Sequence, residues 1–315
     1  SGAMGEGWGD FFAMNDLFRR NLTRTAVTAP YVGDPDRGIR NWNYAKSPAT
    51  FGDYGYDLSG PQVHSDGEIW TATLWTLRTR ILQSVGGNHR KASDITQHLV
   101  MDAMPISPPS PSMLDMRDAI LTAGELRYGK KYTDLIWGAF AERGFGASAS
   151  TVDGTDTDPV PGFDVKDNKQ NGRVTLKVVN ASAGGPVKDV RVLGGLFEGR
   201  ATPITTTNAK GVATARMAGG TYTLTLQAPG FGIQRIKVPV AKGRSVARTI
   251  KLRPNLLSES SGAKVVSTSS ESDALPATNA FDDTEATAWR TEEVDAVYNE
   301  GKPATTVVKL AKKAR

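Results

Sequence analysis

The chain has 315 residues, of which 39% are hydrophobic and 23% charged, a balance that predicts two or three folded domains and excludes disorder throughout. It contains no cysteine and three histidines, so disulfide scaffolds, zinc ribbons and thiol nucleophiles are excluded. The net charge of +5 is unevenly distributed, and no apolar run reaches the roughly 18 residues that a membrane span needs.

Residues 1–150 are predicted to be mainly α-helical. From Glu68 to about Val85, apolar residues recur every three or four positions and form one face, which Gly86 then ends. Further helices are expected over residues 93–104, from Ser112 with Leu126 facing inward, and over residues 133–143. Residues 29–60 are rich in Gly, Pro, Asp and Asn and predict a long ordered loop, a feature that is usually functional in a compact domain.

Residues 151–172 have the composition of a linker, with two clusters of polar residues around Asp153–Asp158 and Asp167–Gly172. The aspartates could bind calcium, which makes that ion a second candidate cofactor. Their spacing is not that of an EF-hand loop, however, so the pattern favours a plain linker.

Residues 173–254 alternate in hydrophobicity with a period of two, which predicts an all-β sandwich of short strands. Strands are expected over residues 173–179, 187–192, 211–217, 221–226 and 234–240. This module resembles the carboxypeptidase-regulatory-like, or transthyretin-like, family in the segments 186–192, 207–212 and 220–224. It contains no histidine and two acidic residues, so no catalytic constellation is expected inside it.

The sandwich is strongly basic, because residues 173–253 carry a net charge of +12 while the rest of the chain carries −7. Three interpretations stay open: a solubilising surface, docking onto the acidic neighbouring segments, or attraction of an acidic glycan or cell-surface polymer. Aromatic residues are not interleaved with the basic positions, so we expect no specific nucleic-acid partner.

Residues 255–315 are predicted to begin a third module. The segments Ala277-Thr-Asn-Ala-Phe-Asp282 and Thr287-Ala-Trp-Arg290 are similar to the opening of discoidin-like domains, which have a galactose-binding-like β-sandwich fold. The 61 residues from 255 to the end would supply only part of such a domain. Trp289 and Arg290 are interpreted as core and surface of that sandwich rather than as a ligand site.

The chemistry is expected in the first seventy residues. Glu6 and Asp10 are four residues apart and would share one face of a helix, where one carboxylate can ligate a metal and the other can orient a neighbouring imidazole. The pair alone is more typical of an ordinary amphipathic helix start. The glycines around Glu6 do not predict a phosphate loop, because neither a preceding strand nor a following Lys-Ser/Thr is present.

A second segment, Gly60-Pro-Gln-Val-His-Ser-Asp-Gly-Glu-Ile-Trp70, places His64 near a helix start. Together with Ser1-Gly-Ala-Met-Gly-Glu-Gly-Trp-Gly-Asp-Phe-Phe-Ala13, it resembles the fungalysin family of secreted, thermolysin-like zinc metalloendopeptidases. Similar runs continue in order to about residue 150, including residues 37–41, 50–53, 115–120 and 136–146. The resemblance implies that residues 1–150 are the C-terminal part of such a catalytic domain.

The resemblance also implies roles for four residues. Glu6 would be a zinc ligand, Asp10 an acid behind a ligating histidine, His64 a donor to the oxyanion, and Arg40 a group that holds a substrate carbonyl. The family's H-E-x-x-H helix, with two zinc-binding histidines and the general base, is absent from these residues.

The expected function is therefore part of a secreted, extracellular enzyme that hydrolyses proteins or peptides with a zinc-activated water. The missing upstream half would come from the same precursor or from a separate chain, and this chain alone is expected to be inactive. The alternative is a non-catalytic extracellular adhesion or carbohydrate-binding protein that uses its β-modules.

Overall fold

The computed structural model describes residues 2–57, 60–195, 202–292 and 303–311. A helical region comes first and a β-region follows, so the predicted multidomain order of α before β is confirmed. The helices are α1 Gly2–Arg19, α2 Val63–Ser84, α3 His89–Ala103, α4 Met113–Tyr128 and α5 Thr133–Glu142. The strands are β1 Asn171–Asn180, β2 Arg191–Gly194, β3 Thr205–Thr206, β4 Val212–Ala218, β5 Gly220–Gln227, β6 Gln234–Val240, β7 Ser245–Leu252, β8 Lys264–Thr268 and β9 Thr306–Lys309.

Capping side chains set where two of the helices begin. Helix α2 begins five residues before the predicted Glu68, because the Gln62 side chain accepts hydrogen bonds from two backbone N–H groups of its first turn. At α4, Ser112 and Asp115 form a reciprocal capping box, as a Ser start predicts. The expectation that Leu126 faces inward is wrong, since it is 78% exposed. The buried residues of α4 end at Gly124, so Leu126 lies in the last turn, beyond the part of the helix that packs into the core.

The sandwich consists of two sheets with strand orders β4-β1-β7 and β3-β2-β5-β6. Strands β1 and β7 are parallel, and the other pairs within these sheets are antiparallel. Alternation did not reveal the two-residue β3 or the polar edge strand β7. Strand β2 begins four residues later than expected, because Val187 and Val190 instead donate to Val178 O and Thr207 Oγ1.

The sandwich is joined to the helical region by buried contacts of the segment that composition marked as a linker. Phe163 and Asp164 are 2% and 1% exposed. Phe163 O accepts from Ala218 N at 2.7 Å, and Thr202 N donates to Gly52 O at 2.8 Å. The exposed Asp153 and the half-buried Asp156 accept hydrogen bonds from neighbouring backbone N–H groups. The boundaries of the linker and of the flanking modules stay predictions.

In the third region, β8 and β9 form an antiparallel pair. The Trp289 Nε1–H donates to Ser270 O at 3.0 Å, and the Trp289 ring is half-buried. Residues 293–302 and 312–315 of the predicted discoidin-like module lie outside the described residues, as do Ser1 of the first quoted segment and Leu58 and Ser59 of the predicted loop. The resemblance to discoidin-like domains stays a prediction. In the part of the chain that is described, no helix is long and apolar enough to cross a membrane.

Candidate active site

Helices α1 and α2 approach each other at two glycines. A Cβ added to Gly7 would lie 2.6 Å from Gly67 O, and one added to Gly67 would lie 2.8 Å from Ala3 O and 3.1 Å from Glu6 Cβ. Thr71 Oγ1 donates across the same contact to Gly7 O at 2.9 Å. The glycines of both sequence segments therefore serve helix packing, and this close approach brings Glu6 beside the start of α2.

The Glu6 carboxylate lies between two potential cations. Glu6 Oε2 is 3.3 Å from His64 Nε2 and 3.6 Å from Arg40 Nη2. The Glu6 and His64 side chains are 39% and 48% exposed, whereas that of Arg40 is 11% exposed. The structure thus brings together three residues that are 24 or more positions apart, at a place where a ligand can reach two of them from solvent.

Asp10 is buried one helical turn after Glu6, and it fixes the orientation of Arg40. Arg40 Nε donates to Asp10 Oδ2 at 2.7 Å, and Arg40 Nη2 donates to Asp10 Oδ1 at 3.1 Å. The buried Tyr44 hydroxyl also donates to Asp10 Oδ2, at 2.5 Å. Burial and the negative charge of Asp10 raise the pKa of Tyr44, so the phenol keeps the proton that it donates. A two-pronged ion pair of this kind holds the guanidinium plane in one direction.

Gln62 determines which nitrogen of a neutral His64 ring carries the proton. Gln62 Oε1 accepts from His64 N at 2.7 Å and Ser65 N at 2.8 Å, which turns the amide nitrogen toward the ring. Gln62 Nε2 then lies 2.8 Å from His64 Nδ1. Because an amide nitrogen only donates, Nδ1 must accept, and the proton of the neutral ring lies on Nε2. His64 therefore presents an N–H toward Glu6.

Glu68 lies on α2 one turn after His64 and holds the loop that carries Arg40. Its carboxylate is 1% exposed and accepts from Asn41 N at 2.9 Å and Asn41 Nδ2 at 3.2 Å. Asn41 Nδ2 also donates to the Tyr56 hydroxyl at 2.9 Å. Burial raises the pKa of Glu68 to about 7, although the Asn41 hydrogen bond and the charge of Arg40 act in the opposite direction.

Four contributors to this arrangement escaped the sequence reasoning: Gln62, Glu68, Asn41 and Tyr44. Glu68 and Gln62 lie inside the quoted His64 segment, so the sequence already indicated that they are near the site. Their roles were not, because each depends on a loop that folds back from another part of the chain. Across the described ranges, no group of three or more His, Asp or Glu residues is arranged to hold a metal ion.

Comparisons with known proteins find similar proteins for the helical region. Residues 1–149 match the family model described as fungalysin metallopeptidase (M36). An extracellular metalloproteinase (mep) of Aspergillus terreus is 31% identical over 182 residues, which are 52% of this chain and 28% of that protein. Extracellular metalloproteinase 3 of Trichophyton soudanense is 30% identical over 164 residues, which are 47% of this chain and 42% of that protein. The chain thus spans less than half the length of these relatives.

Among solved structures, the minor pilin GBS52 of Streptococcus agalactiae covers 32% of this chain and 52% of its own, with 18% identity and a TM-score of 0.23. At such a score the likeness carries no argument about function. Over about half of its length, residues 1–149, the chain is therefore homologous to the fungalysin extracellular metalloproteinases.

Proposed function

We propose that residues 2–149 are the C-terminal part of the catalytic domain of an extracellular zinc metalloendopeptidase that cleaves proteins or peptides. The observation that carries this proposal is the convergence of Glu6, His64 and Arg40 within 3.6 Å of one carboxylate oxygen, in a region homologous to such enzymes. Asp10 completes the set by fixing Arg40. The β-modules would accompany this catalytic part.

The described residues can supply one of the protein ligands of a zinc site. Glu6 offers a half-exposed carboxylate, a normal zinc ligand, while the other ligands of a three-ligand catalytic site would come from an upstream segment of the same precursor or of a partner chain. When bound, zinc lowers the pKa of a water molecule and polarises the scissile carbonyl. Calcium stays a second candidate ion for the aspartates around Asp153, without support from the described contacts.

Two side chains of this site are suited to stabilise a developing oxyanion. The His64 Nε2–H and the Arg40 guanidinium are both donors near Glu6, and donors fixed in advance stabilise charge without reorganising. Asp10 would act by keeping Arg40 in place, and its oxygens retain capacity to accept from a ligating imidazole. Glu68 would position Arg40 through Asn41.

The proposal is tested in a protein that joins this chain to an upstream H-E-x-x-H segment. Glu6→Ala should abolish zinc retention, while His64→Ala should keep zinc and lower kcat by about 10²–10³-fold. His98→Ala, on the exposed side of α3, is the matched control and should leave kcat unchanged. The role of His64 is wrong if its alanine variant keeps full kcat. The chain alone should bind zinc weakly in calorimetric titration.

The second candidate function is a non-catalytic extracellular binding protein. The observation that favours it is the exposed basic surface of the sandwich, which the peptidase chemistry does not use. A joined protein that retained zinc and yet had no peptidase activity would support this alternative.

A further inference from the structure

One face of the sandwich is open and basic. In the sheet β4-β1-β7, Val174, Leu176 and Val178 point into the core, so the alternate residues of β1 and their neighbours in register point outward. We call these outward residues the basic face; they are Val212, Thr214 and Arg216 of β4, Arg173, Thr175, Lys177 and Val179 of β1, and Ser245, Ala247, Thr249 and Lys251 of β7.

The charges of the basic face are mostly unneutralised. Four of its eleven residues are basic and none is acidic. Arg216 pairs with Asp164 at 2.5 Å. The exposed Arg173, Lys177 and Lys251 make no ion pair within the described ranges. On the opposite sheet, by contrast, Arg235 pairs with Glu285 at 2.5 Å.

Docking of the sandwich onto the acidic helical region does not account for this surplus. The junction includes backbone hydrogen bonds, such as Thr202 N to Gly52 O, a hydrogen bond from the Thr50 hydroxyl to Gly194 O, and Phe163 packed against Gly194. Arg216 is the member of the basic face that takes part, through Asp164. The other basic residues of the face, Arg173, Lys177 and Lys251, stay exposed.

At one end of the basic face lies a hollow of about 840 Å³. Three guanidinium groups line it, from Arg173, Arg216 and Arg244, together with polar groups of Ser148, Asn168 and Thr214. The Asp164 carboxylate also lines it and pairs with Arg216, which leaves Arg173 and Arg244 for an anion. Planar guanidinium groups match carboxylates and sulfates, whereas hydroxyl and amide groups match sugar hydroxyls. Among the described residues of the lining, the one aromatic side chain is Phe163, which is 2% exposed and offers no stacking surface for a nucleobase.

We propose that the basic face and its arginine-lined hollow bind an anionic polysaccharide. Arg173 and Lys177 are four residues apart in an extended strand, about 13 Å, so their charges suit a polymer with repeated anionic groups rather than one small anion. Hydroxyl-bearing side chains separate the basic positions, since Thr175 lies between them and pairs with Thr214. This binding does not depend on the peptidase assignment.

The test measures binding of the intact chain to heparin, a sulfated polysaccharide, and to polygalacturonate, a carboxylated one, at low and high salt. We expect weak binding that falls as salt screens the charges. The double variant R173Q/K177Q should bind roughly tenfold more weakly or worse. K237Q/K264Q removes the same charge from exposed positions outside the basic face and should bind within about twofold of the unmodified chain.

Circular dichroism should confirm that both double variants fold, and R244Q, in a turn at the hollow, provides an independent single variant. An equal loss of polysaccharide binding in K237Q/K264Q would show that net charge alone causes the attraction, and it would overturn the proposal. Absence of binding to both polymers at low salt would also overturn it, as would binding of single-stranded DNA at least as tightly at matched salt.

Discussion

Two buried carboxylates show how differently the helical region and the sandwich junction handle charge. Glu68 and Asp164 are each 1% exposed. Glu68 accepts from the neutral Asn41, and burial raises its pKa to about 7. Burial acts in the same direction on Asp164, but hydrogen bonds from Ser148 and Arg216 outweigh it, so the pKa of Asp164 is lowered. The junction is thus built for a charged carboxylate, whereas the candidate site holds one that burial disfavours in its charged form.

The largest expected effect follows from Glu68. Its folded-state pKa of about 7 lies above the ordinary value of 4.5, so its contribution to stability is fully present below pH 4.5 and is lost as the pH rises through 7. Glu68→Gln should remove this loss, and should be more stable than the unmodified chain at pH 8 by at most roughly 3 kcal/mol. Denaturant unfolding between pH 4.5 and 8 measures the difference.

Glu125→Gln, the same substitution at an exposed position on α4, is the control for the chemical change itself. A difference between Glu68→Gln and the unmodified chain that does not grow with pH would contradict the raised pKa of Glu68.

The stability contribution of Asp164 should depend on pH in the opposite direction. Because its folded-state pKa is lowered, its contribution is present above the unfolded value of about 3.9 and is lost as the pH falls through the folded value. Asp164→Ala should cost about 1–3 kcal/mol at pH 7, since it removes the charged acceptor of the Ser148 N–H, the Ser148 hydroxyl and the Arg216 guanidinium. The cost should shrink below about pH 4. Asp36→Ala, in an exposed loop, should change little.

A third test concerns the close approach that assembles the site. Gly7→Ala should destabilise the chain by about 1–3 kcal/mol, because its Cβ would meet the Gly67 carbonyl, a backbone group that cannot rotate away. Gly9→Ala is the matched control on the same helix. Nothing lies within 4 Å of a Cβ there, so this change should stabilise α1 by up to about 1 kcal/mol. Thermal unfolding compares them, and equal effects would show that the helix contact is not tight.

Local patterns predicted much of the fold. Apolar periodicity and the Ser112 cap located the helices, and alternation located most strands of the sandwich. What failed depends on tertiary context: residues 245–249 of the edge strand β7 are not buried on either face, so they show no alternation, and Leu126 lies in the last turn of α4, beyond its buried residues. In the candidate site, spacing suggested that Glu6 and Asp10 share a helix face, whereas the roles predicted for Glu6, Asp10, His64 and Arg40 came from the family resemblance. The hydrogen-bond partners of Arg40 and of the His64 ring could not be predicted from the sequence. Loop residues 40–44 reach Asp10, and the Gln62 side chain reaches the His64 ring, only when the chain folds.

The smallest effect on stability, and the most specific to the site, concerns the His64 ring. Since Gln62 Oε1 is occupied by two backbone N–H groups, its amide nitrogen faces Nδ1 and favours the neutral ring with its proton on Nε2. Two-bond ¹H–¹⁵N spectra at alkaline pH should show this tautomer for His64. Gln62→Glu replaces the donor with an acceptor, and should move the proton to Nδ1 while keeping the helix cap. His98, whose Nδ1 lies 3.3 Å from the Tyr128 hydroxyl, is an internal reference that should not change. A His64 spectrum that is the same with Gln and Glu at position 62 would show that this side chain does not set the tautomer, and that the Nε2–H directed at Glu6 has another origin.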